Sequence, residues 1–195
     1  MRLRGLDAPY ALDVTVDMGN FLNRSEAAAL AAQANQLIRS GNHAQALANL
    51  RRAIQLDPEN AGTQNNLAWY LLAGPESLRD PKEALPLARR AVELASDASR
   101  PLYLNTLGVA LYRNGRYAEA LATLEESLAA GKGASDGFDL FFLAMCHAQL
   151  GDAAKAKDCF DRAVKWVEQK QDLPTEHIAE LSQFRTETAE VLDKK

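Results

Sequence analysis

Four alanines at nearly equal intervals, Ala46, Ala84, Ala120 and Ala156, constrain this chain more than any other feature. Each has a bulkier or equally small apolar residue four positions on: Leu50, Ala88, Leu124 and Phe160. Gly41, Gly115 and Gly151 each stand five residues before one of these alanines, at the end of an earlier apolar pattern. The recurring unit is therefore helix, glycine turn, helix. It is clearest from Pro101 to Gly131, where Leu104, Leu107, Gly108 and Leu111 recur at three- and four-residue steps and so share one helix face. Asn114-Gly115 breaks that helix, and Ala120, Leu121, Leu124 and Leu128 form the stripe of the next. Small Ala120 lets the two helices approach closely. Neither stripe is wide enough to be buried by its partner alone, so such hairpins must stack on neighbours.

With those positions in hand, Leu107-Gly108, Ala120, Leu124 and the Asp57-Pro58 that closes the first unit match the signature of the tetratricopeptide repeat. The chain resembles four such repeats, about 25–60, 61–98, 99–133 and 136–170. The resemblance implies an all-α, right-handed α-solenoid of four helical hairpins plus a C-terminal capping helix. It departs from the family pattern in two ways. Leu30, Gln64, Leu104 and Leu140 replace the usual first tryptophan, and the marker alanines lie 38, 36 and 36 residues apart, where the family period is about 34. The surplus must be accommodated in turns, at Ala73 to Pro81 and at Gly131 to Asp136. The runs NNLAWYLL, RDPKEALPLARRAVEL and DGFDLFFLAM are also similar to arrays of bacterial signalling proteins and of eukaryotic-like serine/threonine kinases.

Composition agrees with helices and excludes several functions. Apolar residues are 47% of the chain, carried largely by Ala and Leu, with seven prolines. The net charge of −4 and the lack of a basic stripe argue against nucleic acid, because neutralising phosphates takes concentrated Lys and Arg. Cys146 and Cys159 are too few for a disulfide framework and read as reduced, buried thiols. No stretch has the length of a signal peptide or a membrane span, which places the expected location in the cytoplasm, with no membrane partner. There is no phosphate loop, no G-x-S-x-G and no H-E-x-x-H. His43, His147 and His177 are scattered, one to a helix. The expectation is a protein that is no enzyme, with no catalytic residues, no metal and no cofactor.

Along the chain, residues 1–22 read as an extended or disordered tail, since Tyr10 to Met18 alternates apolar and polar. Ser25-Glu26 reads as the start of the first helix. Asp80-Pro81-Lys82-Glu83 spells an N-cap, a proline at the first helical position and a carboxylate reaching back. A last helix over 174–193 carries Ile178, Leu181, Phe184, Val191 and Leu192 on one side. It reads either as a solvating cap or as an arm to a second copy.

The family resemblance implies a concave groove along the first helices of the hairpins, which grips an extended peptide of a partner. Carried onto this sequence, the groove positions are Asn35, Arg39, Asn65, Asn66, Trp69, Asn105, Thr106, Val109, Tyr112, Arg113, Phe138, Phe141, Phe142 and Met145. Carboxamides at 35, 66 and 105 both donate and accept, which suits a peptide backbone. Ala31, Leu102 and Thr106 stand where chaperone-binding members have basic residues, so capture of a terminal carboxylate is not expected. In the first helix of the fourth repeat, about Gly137 to Gln149, Leu140, Leu143 and Ala144 take the core face, so Phe138 or Phe141 must be exposed or covered by something. The function expected is a protein–protein interaction scaffold. The alternative is a self-assembly protein, a homo-oligomer whose N-terminal segment docks in the groove of a neighbouring copy.

Overall fold

The computed structural model describes residues 8–133 and 135–194, with side chains from Met18 onward. Those residues are mostly helical and contain no strand. The chain divides into two compact units, one up to Thr63 and one from Gln64, and the division falls inside a helix.

The first unit contains α1 (Ala8–Arg39), α2 (His43–Leu56) and the first turn of α3 (Ala61–Ala73). Ala27 and Ala34 of α1 are buried, as are Ala46, Leu47, Leu50 and Ala53 of α2, so the contact is built largely from methyl groups and the helices lie close. Gln33 and Asn49 join them through a 2.9 Å hydrogen bond. The tail expected to be extended or disordered over 1–22 is helical from Ala8, and α1 passes through Ser25 without a cap there. Residues 1–7 lie outside the described residues. A lone extended segment leaves every backbone N–H and C=O without a ladder, whereas lengthening an existing helix adds one bond per residue fixed.

The second unit holds the rest of α3, then α4 (Pro81–Glu93), α5 (Arg100–Arg113), α6 (Tyr117–Gly131), α7 (Asp136–Gln149), α8 (Ala153–Gln169) and α9 (Thr175–Asp193). α5 packs with α6 and α7 with α8 as antiparallel hairpins, while α6 against α7 joins the two. The α5–α6 turn shows why glycine recurs at these ends. Gly115 sits at φ +75°, its N–H reaches Tyr112 O at 2.9 Å, and Arg116 N–H reaches Leu111 O at 3.0 Å. This pairing satisfies two of the last carbonyls of α5 through one left-handed residue. The turns after α1 and α7 repeat the bonding, with Asn42 N–H to Leu37 O at 2.8 Å and Asp152 N–H to His147 O at 2.9 Å. The turn after α3 is different. Its surplus residues make a single 3-10 turn over Glu76–Leu78, which Arg79 Nε ties down at Gly74 O, 2.9 Å away.

Asp80 caps α4 as its sequence spells, its carboxylate accepting from the N–H groups of Lys82 and Glu83, both at 3.0 Å. The Asp80 N–H goes to Leu71 O at 3.0 Å, so it is the chain before α4 that closes the other half of the box. Within the hairpins, Gly108 and Gly137 mark the closest approaches. A Cβ on Gly108 would stand 2.5 Å from Leu124 Cγ, and one on Gly137 2.5 Å from Trp166 Cε3.

α7 is the centre of this unit. Twelve of its fourteen residues are buried, among them one carboxylate, Asp139. Asn105 Nδ2 donates to Asp139 Oδ1 at 2.8 Å, and Ser127 Oγ lies 3.1 Å from Asp139 Oδ2 and 2.9 Å from Pro101 O. Burial raises the Asp139 carboxyl to about 7, against the pull of these two hydrogen bonds. Cys146 and Cys159 are buried free thiols, and burial pushes Cys146 up to about 12.

Candidate functional site

α3, α5 and α7 turn one face toward α9, and α9 lies across it. Its connections are specific. Glu180 accepts from Trp69 Nε1 at 3.0 Å, and the Glu187 carboxylate takes both terminal nitrogens of Arg113, one of them at 2.7 Å. Phe184 sits between the rings of Trp69, Phe138 and Phe142, with centroids at 6.0, 6.3 and 5.0 Å and all three pairs edge-to-face. That is the arrangement aromatic quadrupoles favour. Burial raises the Glu180 carboxyl above its ordinary value, opposed by the bond from Trp69.

α9 therefore covers much of the expected groove. Val109, Phe141, Phe142 and Met145 are wholly buried core residues. Tyr112 is buried against Tyr117 and Phe142, and burial, reinforced by Glu187, pushes its hydroxyl up to about 12. Arg113 is engaged with Glu187. Phe138 and Phe141 are both covered: Phe138 stacks edge-on with His177 of α9, and Phe141 meets Phe160 of α8. Except for Phe138, which keeps an edge toward the cavity described next, these residues cannot touch a guest in this arrangement. Asn105 and Thr106 are buried as well, and Asn105 braces Asp139 where the sequence had it gripping a peptide. The reason is shared: alternation of faces along a helix fixes which residues point together, but only the packing of α9 says what lies opposite them.

Six of the fourteen candidates nevertheless line one open cavity of about 190 Å³: Asn65, Asn66, Trp69, Asn105, Thr106 and Phe138. Leu102, Ser135, His177 and Glu180 complete it. Sequence reading gave no signal for the last three, and it marked Leu102 only as a missing basic position. Asn66 and Leu102 stand exposed at the rim. Asn65 is 5% exposed, and its Oδ1 is buried with no hydrogen-bond partner. Asn35 and Arg39 belong to the first unit, where both are exposed on α1. Among the described residues no group of three His, Cys, Asp or Glu side chains gathers as a metal site. Nor among them is any helix long and apolar enough to cross a membrane.

Models of the tetratricopeptide repeat match residues 27–60, 76–135 and 140–169, together well over half of the chain. The chain is a tetratricopeptide repeat protein. No curated protein matches it significantly. Among solved structures, this tetratricopeptide repeat chain is similar to PilW, described as a widely conserved type IV pilus biogenesis factor, with a TM-score of 0.64 at 21% identity, covering 86% of this chain and 70% of that one. It is also similar to PilF of Pseudomonas aeruginosa, with a TM-score of 0.60 at 23% identity over 88% of this chain and 74% of that one. MamA of Desulfovibrio magneticus gives a TM-score of 0.60 at 17% identity over 87% and 92%. At such identities the likeness is one of fold, an all-α repeat array. Membership of this family makes the chain a protein–protein interaction module rather than an enzyme.

Proposed function

We propose that the chain is a scaffold whose second unit takes an extended segment of a partner protein on the face shared by α3, α5 and α7. The observation that carries this reading is a cavity walled by Trp69, Phe138 and Leu102 and lined by Asn65, a carboxamide whose buried Oδ1 has no hydrogen-bond partner and meets a guest once the side chain turns toward the cavity. A buried carbonyl left unpaired costs about 1–3 kcal/mol, and the N–H of an extended chain is the donor that relieves it. The apolar walls then seat one side chain of the guest, while Asn66 at the rim both donates and accepts along its backbone. Leu102→Glu and Asn66→Ala alter exposed positions only, so both variants are expected to fold as the native chain does. Affinity capture from the source organism is expected to lose its specific partners with Leu102→Glu and to weaken about tenfold with Asn66→Ala, a change of about 1.4 kcal/mol. An unchanged set of partners with both variants would sink the proposal.

A self-association reading has one observation in its favour. Met18, Phe21 and Leu22 recur at helical spacing on α1 and are 60%, 72% and 61% exposed. Contiguous apolar surface of this kind marks a contact with something else. If a second copy covers it, sedimentation of the native chain will show a concentration-dependent dimer that Phe21→Glu abolishes; a monomer at every concentration removes this reading.

A further inference from the structure

We propose that α9 is an exchangeable occupant of the second unit, and that a partner helix carrying an acidic residue, an aromatic four positions on and a second acidic residue three further on replaces it. The pattern is that of Glu180, Phe184 and Glu187, whose spacing puts them along one face of a helix, as in recognition of an amphipathic helix by a groove. This inference rests on reading the face of α3, α5 and α7 as a binding surface; beside the cavity that takes the extended segment, it adds a second occupant, a helix in the place of α9, and says how that place is opened.

Each anchor meets a feature of the surface that requires it. The Phe184 ring fills a socket made by Trp69, Phe138 and Phe142. The Trp69 indole N–H needs an acceptor at its partly buried position and finds Glu180. The Arg113 side chain is 16% exposed and lies over the Phe142 ring, with its Nε buried and unpartnered, so only a carboxylate can stand opposite it without leaving a buried charge uncompensated. The surface is thus complementary to an acidic, aromatic helix, whichever chain supplies it.

α9 is also the element built to leave. Only Leu181, Phe184 and Thr188 of its nineteen residues are buried, whereas α7 buries twelve of fourteen. Ile178, on its outer side, is 54% exposed. The segment before it, Lys170 to Asp172, is exposed, and Pro174 breaks the helical path from α8. α9 holds its place because it is tethered: a short linker presents it at an effective concentration in the millimolar range. A free helix must overcome that advantage, so the native chain is shut toward weak guests and open toward tight ones.

The test uses the full chain and, as probe, a fluorescein-labelled peptide of residues 175–193, read by fluorescence anisotropy. Glu187→Lys in the full chain unpairs Arg113 at a half-buried position and leaves the hydrophobic core untouched. This variant is expected to bind the native peptide at least tenfold more tightly than the native chain does, and a peptide carrying Phe184→Ala is expected to lose that gain. Hydrogen exchange on the native chain supplies an independent readout, with amides of 181–192 exchanging at least tenfold faster than those of 138–148. Equal affinity of both chains for the peptide, or protection in α9 equal to that in α7, overturns the proposal. A Glu187→Lys chain that dimerises and thereby excludes the peptide also overturns it, because the occupant is then the α9 of a second copy. None of these outcomes alters the result of Leu102→Glu in affinity capture, so the two proposals fail separately.

Discussion

Phe142→Ala is expected to destabilise the second unit by about 3–5 kcal/mol, the range for removing a buried aromatic ring. Phe142 is wholly buried, and its ring packs edge-on against Tyr112 at 5.6 Å and Phe184 at 5.0 Å, with the Arg113 guanidinium 5.5 Å above it. It thus joins α5, α7 and α9 at one point. The cavity left by alanine cannot collapse, because α7 is held on its other sides by α5, α6 and α8. In urea the midpoint should fall while the slope stays the same, which identifies a loss of stability rather than a change in the denatured chain. The measurement also separates two roles for this residue. Were Phe142 a binding aromatic, alanine would weaken partner capture and leave the midpoint in place. A loss of less than about 1 kcal/mol, small against the cavity cost, would show that the ring is not packed as described.

The second large effect concerns Asp139. Its carboxyl is raised to about 7 in the folded chain, mainly by burial, against an ordinary value of 3.8. A carboxyl with a raised folded value binds its proton more tightly when folded. Its contribution is therefore fully present below about pH 4, is lost as pH rises toward 7, and is constant above that. At about 1.4 kcal/mol for each pH unit between the two values, the loss has an upper bound of about 4 kcal/mol. The geometry explains why the neutral form fits. Ser127 has one hydroxyl proton and two acceptors within reach, Pro101 O and Asp139 Oδ2. When Oδ2 is protonated it donates to Ser127, and Ser127 donates to Pro101. Asp139→Asn keeps that pattern without a charge, its amide donating to Ser127 and its carbonyl accepting from Asn105. The variant is expected to exceed the native chain in stability at pH 8 by a few kcal/mol and to converge with it near pH 4. Subtracting the two pH profiles cancels the other titrating groups. A difference that does not change between pH 4 and 8 would show that Asp139 stays ionised throughout.

How legible this protein is in its letters depends on the range of the interaction. Gly115, Asp80 and the marker alanines act within one or two turns of chain, so their spacing alone determined the helices, their ends and the hairpin repeat. The same locality explains the error at the N-terminus. Apolar and polar residues alternate from Tyr10 to Met18, but a strand exists only with a partner to pair with, and α1 instead continues back to Ala8.

Burial on a face was legible in part: Leu140, Leu143 and Ala144 of α7 were expected on the core side and are buried, whereas Phe141, Phe142 and Met145, expected to line a groove, are buried too. What lies opposite that face was not. Trp69 meets Glu180 across 111 positions and Arg113 meets Glu187 across 74, and no periodicity reaches so far. The tertiary structure alone decided that α9 covers the face, that Asn105 braces Asp139, and that Asn65 keeps a bare acceptor beside an open cavity. Short-range backbone bonding makes a helix from its own sequence. Which two helices share a surface is settled by shape and charge, between residues that the sequence holds far apart.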